Sequence, residues 1–375
     1  MIYLDYSANT PVDARVLEQF CAVERRCIGN ANSHHQAGSA AKAEIDAATI
    51  KIASLLGVQP AEIIYTSGAS EANNFALKGL ARLSRHAGRH IISTPLEHSS
   101  VSGTLTALQE QGYEIDLLDV KQDGTVDLEH LKDLLRPDTI CVAVTLVDSE
   151  LGVVQPVQEI AAILKAYPHC HLHVDATQAV GKIPVSFEGV DTMSLTAHKF
   201  YGLNGIGLLI KRRNLALEPL IHGGESTTIY RSGTPTVALA SSLACALDLA
   251  VTDLPGRVDH VAKLNAELRA ALSTYPLVRI NSPEHAISHV LNLSVRNVKG
   301  TVFQRELDAK GVCVSVKSAC SSDGLPSRAV FAVSRDRRNA LSSWRISLSH
   351  LTTEEEIKAF LQAFDVCCRE LTAVH

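Results

Sequence analysis

Over the first two-thirds of the chain, apolar residues fall in short, nearly unbroken runs separated by polar punctuation. The runs EIIYTS (62–67), HIISTP (90–95), YEIDLLDV (113–120), TICVAVTLV (139–147), HLHVDA (171–176), TMSLTA (192–197) and GIGLLIK (205–211) read as strands. Several are continuous rather than alternating, as expected when helices cover both faces of a sheet. Stretches with helical spacing lie between them, such as 71–86 and 157–167. Strand–helix alternation at this spacing predicts an α/β domain built on a seven-stranded, mainly parallel sheet.

A long helical stretch follows, from about Thr236 to Ser273. Beyond it, strands LVRI (277–280), HVLNLSV (289–295), VCVSV (312–316) and WRISLS (344–349) mingle with fewer helices, predicting a smaller α+β domain. The expected division is a large domain over 13–255 and a small one made of 1–12 and 256–375. In LTTEEEI, Thr353 and Glu356 have the spacing of a capping box, so this acidic cluster is a helix start and not a metal site.

Composition narrows the class. A chain of 375 residues exceeds what one core usually fills, consistent with two domains. The net charge of −5 speaks against a nucleic-acid-binding protein, and Arg335-Asp336-Arg337-Arg338 reads as a solvated loop. The start MIYLDYSANTP resembles no leader, and no run approaches the ~20 apolar residues of a membrane helix, so a soluble, cytoplasmic protein is expected. Nine scattered cysteines without a C-x-x-C pair suggest neither a disulfide framework nor a zinc site. Most sit in apolar runs. Cys320, in SVKSACSSDG, is set in a polar segment where a thiolate would be reactive.

The residues with chemical potential cluster at strand ends. YTSGASEAN (65–73) puts Ser67, Gly68, Ala69 and Ser70 between a strand and a helix, where backbone N–H groups can meet an anion. The glycine spacing is neither a P-loop nor a dinucleotide fingerprint. HVDATQ (173–178) ends a strand with Asp175 and then Gln178, and SLTAHKFYG (194–202) ends the next with Thr196, His198 and Lys199. An anion cradle, a carboxylate able to hold a pyridinium and an amine able to form a Schiff base are the parts of a pyridoxal 5'-phosphate site.

With those residues in place, LDYSANTPVD, YTSGASEANN, LEHSSV, ELGVVQP, HVDATQAVGK, TAHKFYG, RSGT, KSAC and RISLS resemble, in order and over nearly the full length, the NifS/IscS-type (group I) cysteine desulfurases. These are class V aminotransferase-like enzymes of the fold-type I group that depends on pyridoxal 5'-phosphate. The resemblance implies that Lys199 binds the cofactor covalently, Asp175 pairs with its ring nitrogen and Gln178 meets its phenolic oxygen. It implies that His98 stacks on the ring and shuttles protons, and that Ala69, Ser70, Thr196 and His198 hold the phosphate. Asp148 would lie beside the phenolic oxygen, Thr234 would reach the partner's cofactor in a homodimer, and Arg345 would clamp the carboxylate of L-cysteine. Cys320 would take the sulfur as a persulfide and pass it to an acceptor protein, an iron–sulfur scaffold or a protein of nucleic-acid or cofactor sulfur modification.

Three places depart from the family pattern. Asp148-Ser149-Glu150 stands where Asn-Asn-Glu is usual, GGESTTIY replaces an element with Gln/His-Glu-Arg, and Lys317 replaces the glycine of G-S-A-C. The end at CCRELTAVH is short of the tail by which IscS-like enzymes dock their scaffold, so a specialised acceptor is expected. A related C–S lyase or selenocysteine lyase, in which Cys320 is not the nucleophile, is the alternative reading.

Overall fold

The computed structural model describes residues 1–317 and 325–373. In chain order its first half comprises β1 (Ile2–Tyr3), α1 (Ala14–Arg26), α2 (Gln36–Leu56), β2 (Ile63–Thr66), α3 (Ala69–Ser84), β3 (His90–Ser93), α4 (Ser99–Gln109), β4 (Glu114–Leu117), α5 (Leu128–Leu134), β5 (Thr139–Thr145) and α6 (Val157–Leu164). Then come β6 (His171–Asp175), β7 (Thr192–Thr196), β8 (Gly207–Lys211), α7 (Val237–Thr252) and α8 (Leu254–Leu272). The remainder is β9 (Val278–Ile280), β10 (Val290–Val295), α9 (Gly300–Ala309), β11 (Val312–Cys313), α10 (Arg328–Ser334), α11 (Arg337–Ser342), β12 (Ser343–Ser347) and α12 (Glu354–Thr372).

The seven strands expected from the apolar runs form one sheet in the order β2-β8-β7-β6-β5-β3-β4. Every pairing is parallel except those of β8, which runs antiparallel to both β2 and β7. All seven residues of β5, TICVAVT, are buried. Val142 and Val144 join a core cluster on one side of the sheet while Ile140, Cys141 and Ala143 join another. Two covered faces explain the lack of polar alternation in this run.

The helical stretch expected from about Thr236 to Ser273 is made of two helices, bent by 64° at Asp253. Pro255, in the first turn of α8, lacks the N–H that a continuous helix would need and its ring crowds the preceding turn. The break matters for packing. α7 lies against α1 and α2 and joins the large-sheet core. From α8 onward, Val261, Leu264, Leu268 and Leu272 join a separate core with Leu4, Phe303, Trp344 and Phe364. We propose this bend as the boundary between the two domains, close to the division expected from texture. The capping box of α12 is present: Thr353 Oγ1 accepts from Glu356 N–H, and Glu356 Oε2 accepts from Thr353 N–H.

Of VCVSV only Val312 and Cys313 are strand, paired parallel with β1. Ser315 forms an isolated antiparallel bridge with Arg345 of β12. That bridge ties the stretch before the cysteine segment to the edge of the site. Among the described residues no single helix is long and apolar enough to cross a membrane.

Candidate active site

A cavity of about 320 Å³ opens at the carboxyl ends of the large-sheet strands. Open α/β sheets place ligands there, because strand ends and helix starts converge on one side. It is lined by Ala69, Ser70, His98, Asp175, Gln178, Thr196, His198, Lys199 and Arg345 among others, so nine of the expected residues meet in one space.

One wall is the turn from β2 into α3. Gly68 occupies the N-cap position at φ 153°, a backbone state that favours glycine. Gly207 of β8 passes so close that a Cβ there would stand 2.7 Å from Gly68 Cα and 2.6 Å from the Leu195 carbonyl oxygen. With no side chain at either position, the first N–H groups of α3 are left facing the cavity, where the helix dipole favours an anion. Glu71 also borders the cavity, where it accepts from Ser67 N–H at 2.7 Å and its charge is offset by Arg231 at 2.9 Å.

The floor is a buried polar network. Asp175, at the end of β6, accepts from Thr177 N–H at 2.9 Å and from Asn73 Nδ2 at 2.8 Å. The carbonyl oxygen of Asn73 in turn accepts from Ser194 Oγ and lies 3.0 Å from His173 Nε2. Burial pushes His173 down to about 4, so it is neutral, with Nδ1 held 2.9 Å from Thr192 Oγ1. Asp175 is thereby anchored by neutral donors, and its charge is left for a cation in the cavity.

Lys199 follows β7 in a short 3₁₀ turn and donates to the carbonyls of Ser7 and Ala8 at 2.7 and 2.6 Å. Gln178 donates from Nε2 to the same Ser7 carbonyl at 2.9 Å. His98 caps α4, and its Nδ1 accepts from Ser100 N–H at 3.1 Å. An accepting Nδ1 leaves the proton of the neutral ring on Nε2. Burial lowers the pKa of this histidine, and burial likewise takes His198 down to about 4.

Arg345, on β12, is 1% exposed. Its Nη2 pairs with Asp5 at 2.9 Å, Nη1 donates to the Ser149 carbonyl at 2.8 Å, and Nε is buried without a partner among the described residues. Asp5 also accepts from Ser315 Oγ at 2.7 Å, linking the guanidinium to the segment that leads towards Cys320.

Two of the expected residues do not line this cavity. Asp148 does not line the cavity: its carboxylate folds back to accept from the N–H groups of Glu150 and Leu151, and only its neighbour Ser149 reaches the space. Burial raises Asp148 to about 7, with Glu150 adding to the rise. Thr234 lines a neighbouring hollow with Ser67 and Arg231. Cys320 lies outside the described residues. Lys317, before it, is half-buried and acts electrostatically on Glu150, a buried carboxyl that also accepts from Ser327 Oγ at 2.5 Å.

Sequence reasoning does not single out Asp5, Asn73, Glu97 or Lys182, yet each holds a cavity residue or borders one. Only Lys182 carried a readable signal, standing four residues after Gln178 at helical spacing. Its Nζ donates to Gln178 Oε1 at 3.0 Å, and burial, with Lys199 and Arg345 nearby, takes it down to about 7. Glu97 Oε1 accepts from Thr94 Oγ1 and from Thr145 N–H, both at 2.8 Å, while Oε2 is buried without a partner among the described residues.

These features suit a phosphorylated pyridine aldehyde. An anion cradle at the start of α3, a carboxylate without an ion pair among the described residues, an amine and an amide donor stand around one space of adequate size.

The family model for class-V aminotransferases matches residues 2–360. The cysteine desulfurase IscS of Proteus mirabilis is 40% identical over 365 residues, covering 95% of this chain and 90% of that protein. A solved NifS-like protein superposes with a TM-score of 0.92 at 35% identity, with both chains covered completely. A structure described as SspA in complex with cysteine is 30% identical, with a TM-score of 0.83 over 94% of this chain and 100% of that one.

Proposed function

The chain belongs to the class-V aminotransferase family, among its pyridoxal-phosphate-dependent cysteine desulfurases, and on that premise we propose how its residues divide the work. The substrate is L-cysteine, in keeping with the cysteine in the SspA structure. The observation that carries this division is the convergence of Lys199, Asp175 and the α3 N-terminus on one cavity.

When bound, the cofactor supplies an electron sink for the pair released at Cα. The N–H groups of Ala69 and Ser70, with Thr196 and His198, hold its phosphate. Asp175 keeps a proton on the ring nitrogen, and Asn73 keeps Asp175 aimed at it. Gln178 donates to the phenolic oxygen. Lys199 would hold the cofactor covalently through Nζ, and the same amine, when free, would take the Cα proton. His98 would lie beside the ring and could offer its Nε2 proton there. Arg345 takes the substrate carboxylate. Asp148 stands behind Ser149, its carboxyl held by the N–H groups of Glu150 and Leu151.

Cys320, as thiolate, attacks the substrate sulfur. A sulfur–sulfur bond forms, the substrate's carbon–sulfur bond breaks, and the carbon takes a proton, so cysteine and one thiol become alanine and one persulfide. No external oxidant is needed. The persulfide passes to an acceptor protein dedicated to sulfur modification or to an iron–sulfur scaffold. In a homodimer Thr234 serves the partner's cavity.

Reconstitution with pyridoxal phosphate followed by incubation with labelled cysteine tests the reading. Mass spectrometry should place the label on Cys320, and Lys199→Ala should lose the visible absorbance of the bound cofactor. Undiminished sulfur release from Cys320→Ala would overturn the persulfide route in favour of a C–S lyase.

A further inference from the structure

Lys182 is a buried lysine, 6% exposed. Lysines are almost never fully buried unless paired, since an apolar side chain of the same length fills such space at lower cost. Among the described residues its Nζ makes one side-chain hydrogen bond, donating to Gln178 Oε1 at 3.0 Å. It also borders an enclosed space of about 10 Å³, roughly one water in size, together with Lys199, Tyr201 and His289.

A carboxamide can be turned either way, and its two ends have opposite chemistry. The Ser7 carbonyl can only accept, so the NH₂ end of Gln178 faces it and the carbonyl end faces Lys182, whose Nζ carries N–H donors whether charged or neutral. The NH₂ end then faces the Ser7 carbonyl at 2.9 Å, the same carbonyl to which Lys199 donates. One N–H of Gln178 is used there, and the second remains for the cavity that Gln178 lines.

We propose that Lys182 is a positioning residue that locks the Gln178 amide with its N–H end towards the phenolic oxygen of the cofactor. The inference rests on the reading that Gln178 meets that oxygen. A locked donor stabilises the phenolate, so the bound chromophore loses its proton at lower pH than it would beside a freely turning amide.

The test is a pH titration of the visible absorbance of the reconstituted holoenzyme. Lys182→Met removes the donor while keeping the length, and should raise the pH midpoint by about half to one unit, the size of one ordinary net hydrogen bond. Lys182→Gln, which retains a donor, should return it towards the wild-type value and guards against loss of fold in the methionine variant. Gln178→Ala should raise the midpoint at least as far, and adding Lys182→Met to it should change nothing more. An unmoved midpoint in Lys182→Met overturns the inference. So does a shift that adds fully to that of Gln178→Ala, since Lys182 would then act by its charge alone. A Gln178→Ala midpoint equal to wild type would instead overturn the placement of Gln178 itself.

Discussion

Replacing Glu97 by glutamine should flatten the dependence of stability on pH in the cofactor-free protein. Burial, with Asp175 and Asp148 adding to it, takes this carboxyl from an ordinary 4.5 up to about 8. A raised acid is protonated in the folded state while the unfolded state has already released its proton. Between those two values the folded protein therefore binds more protons, and stability falls as pH rises. Stability from this group is complete below about pH 4.5, declines by up to about 1.4 kcal/mol per pH unit, and is lost above about pH 8, which caps the effect at about 5 kcal/mol. Glutamine has nearly the same shape and its carbonyl can accept from Thr94 Oγ1 and Thr145 N–H as the carboxyl does. It has no proton to lose. Urea unfolding of both proteins from pH 5 to 9 should therefore give curves that converge at low pH and separate towards high pH, with the variant more stable at pH 9. Parallel curves across that range would mean that Glu97 is already ionised when folded, and the reasoning from burial would be wrong.

Two further outcomes follow from close packing and from the guanidinium fork. Gly207→Ala places a methyl group 2.7 Å from Gly68 Cα, so it should destabilise the protein by roughly 1–3 kcal/mol and weaken cofactor retention in parallel; wild-type retention on dialysis would sink the cradle as described. Arg345→Lys keeps a charge but cannot span Asp5 and Ser149 together with a carboxylate, so steady-state kinetics should show the KM for L-cysteine rising about tenfold or more. A KM that did not move would detach Arg345 from the substrate.

Much of the site was legible because its residues sit at strand ends within short local patterns. Asp175 and Gln178 are three residues apart, Thr196 to Lys199 form one turn, and Gly68 to Ser70 open one helix. Their positions follow from where a parallel strand stops, which hydrophobic runs reveal. Asn73 was not legible in this way. It reads as one polar residue in a helix, and its partners Asp175 and Ser194 are 102 and 121 residues away. Asp148 was placed by its neighbours in sequence, but a tight turn draws its carboxylate onto its own backbone N–H groups.

By itself the chain determined the alternation of strands and helices and the strand ends at which the candidate groups stand, because these follow from local periodicity and residue chemistry. Only the tertiary structure decided which polar groups lose water and which distant partners hold them. Glu97 and Lys182 look like ordinary charged residues in the sequence, and burial raises the pKa of the first and lowers that of the second. Desolvation depends on everything packed around a group. No stretch of sequence near that group can report it.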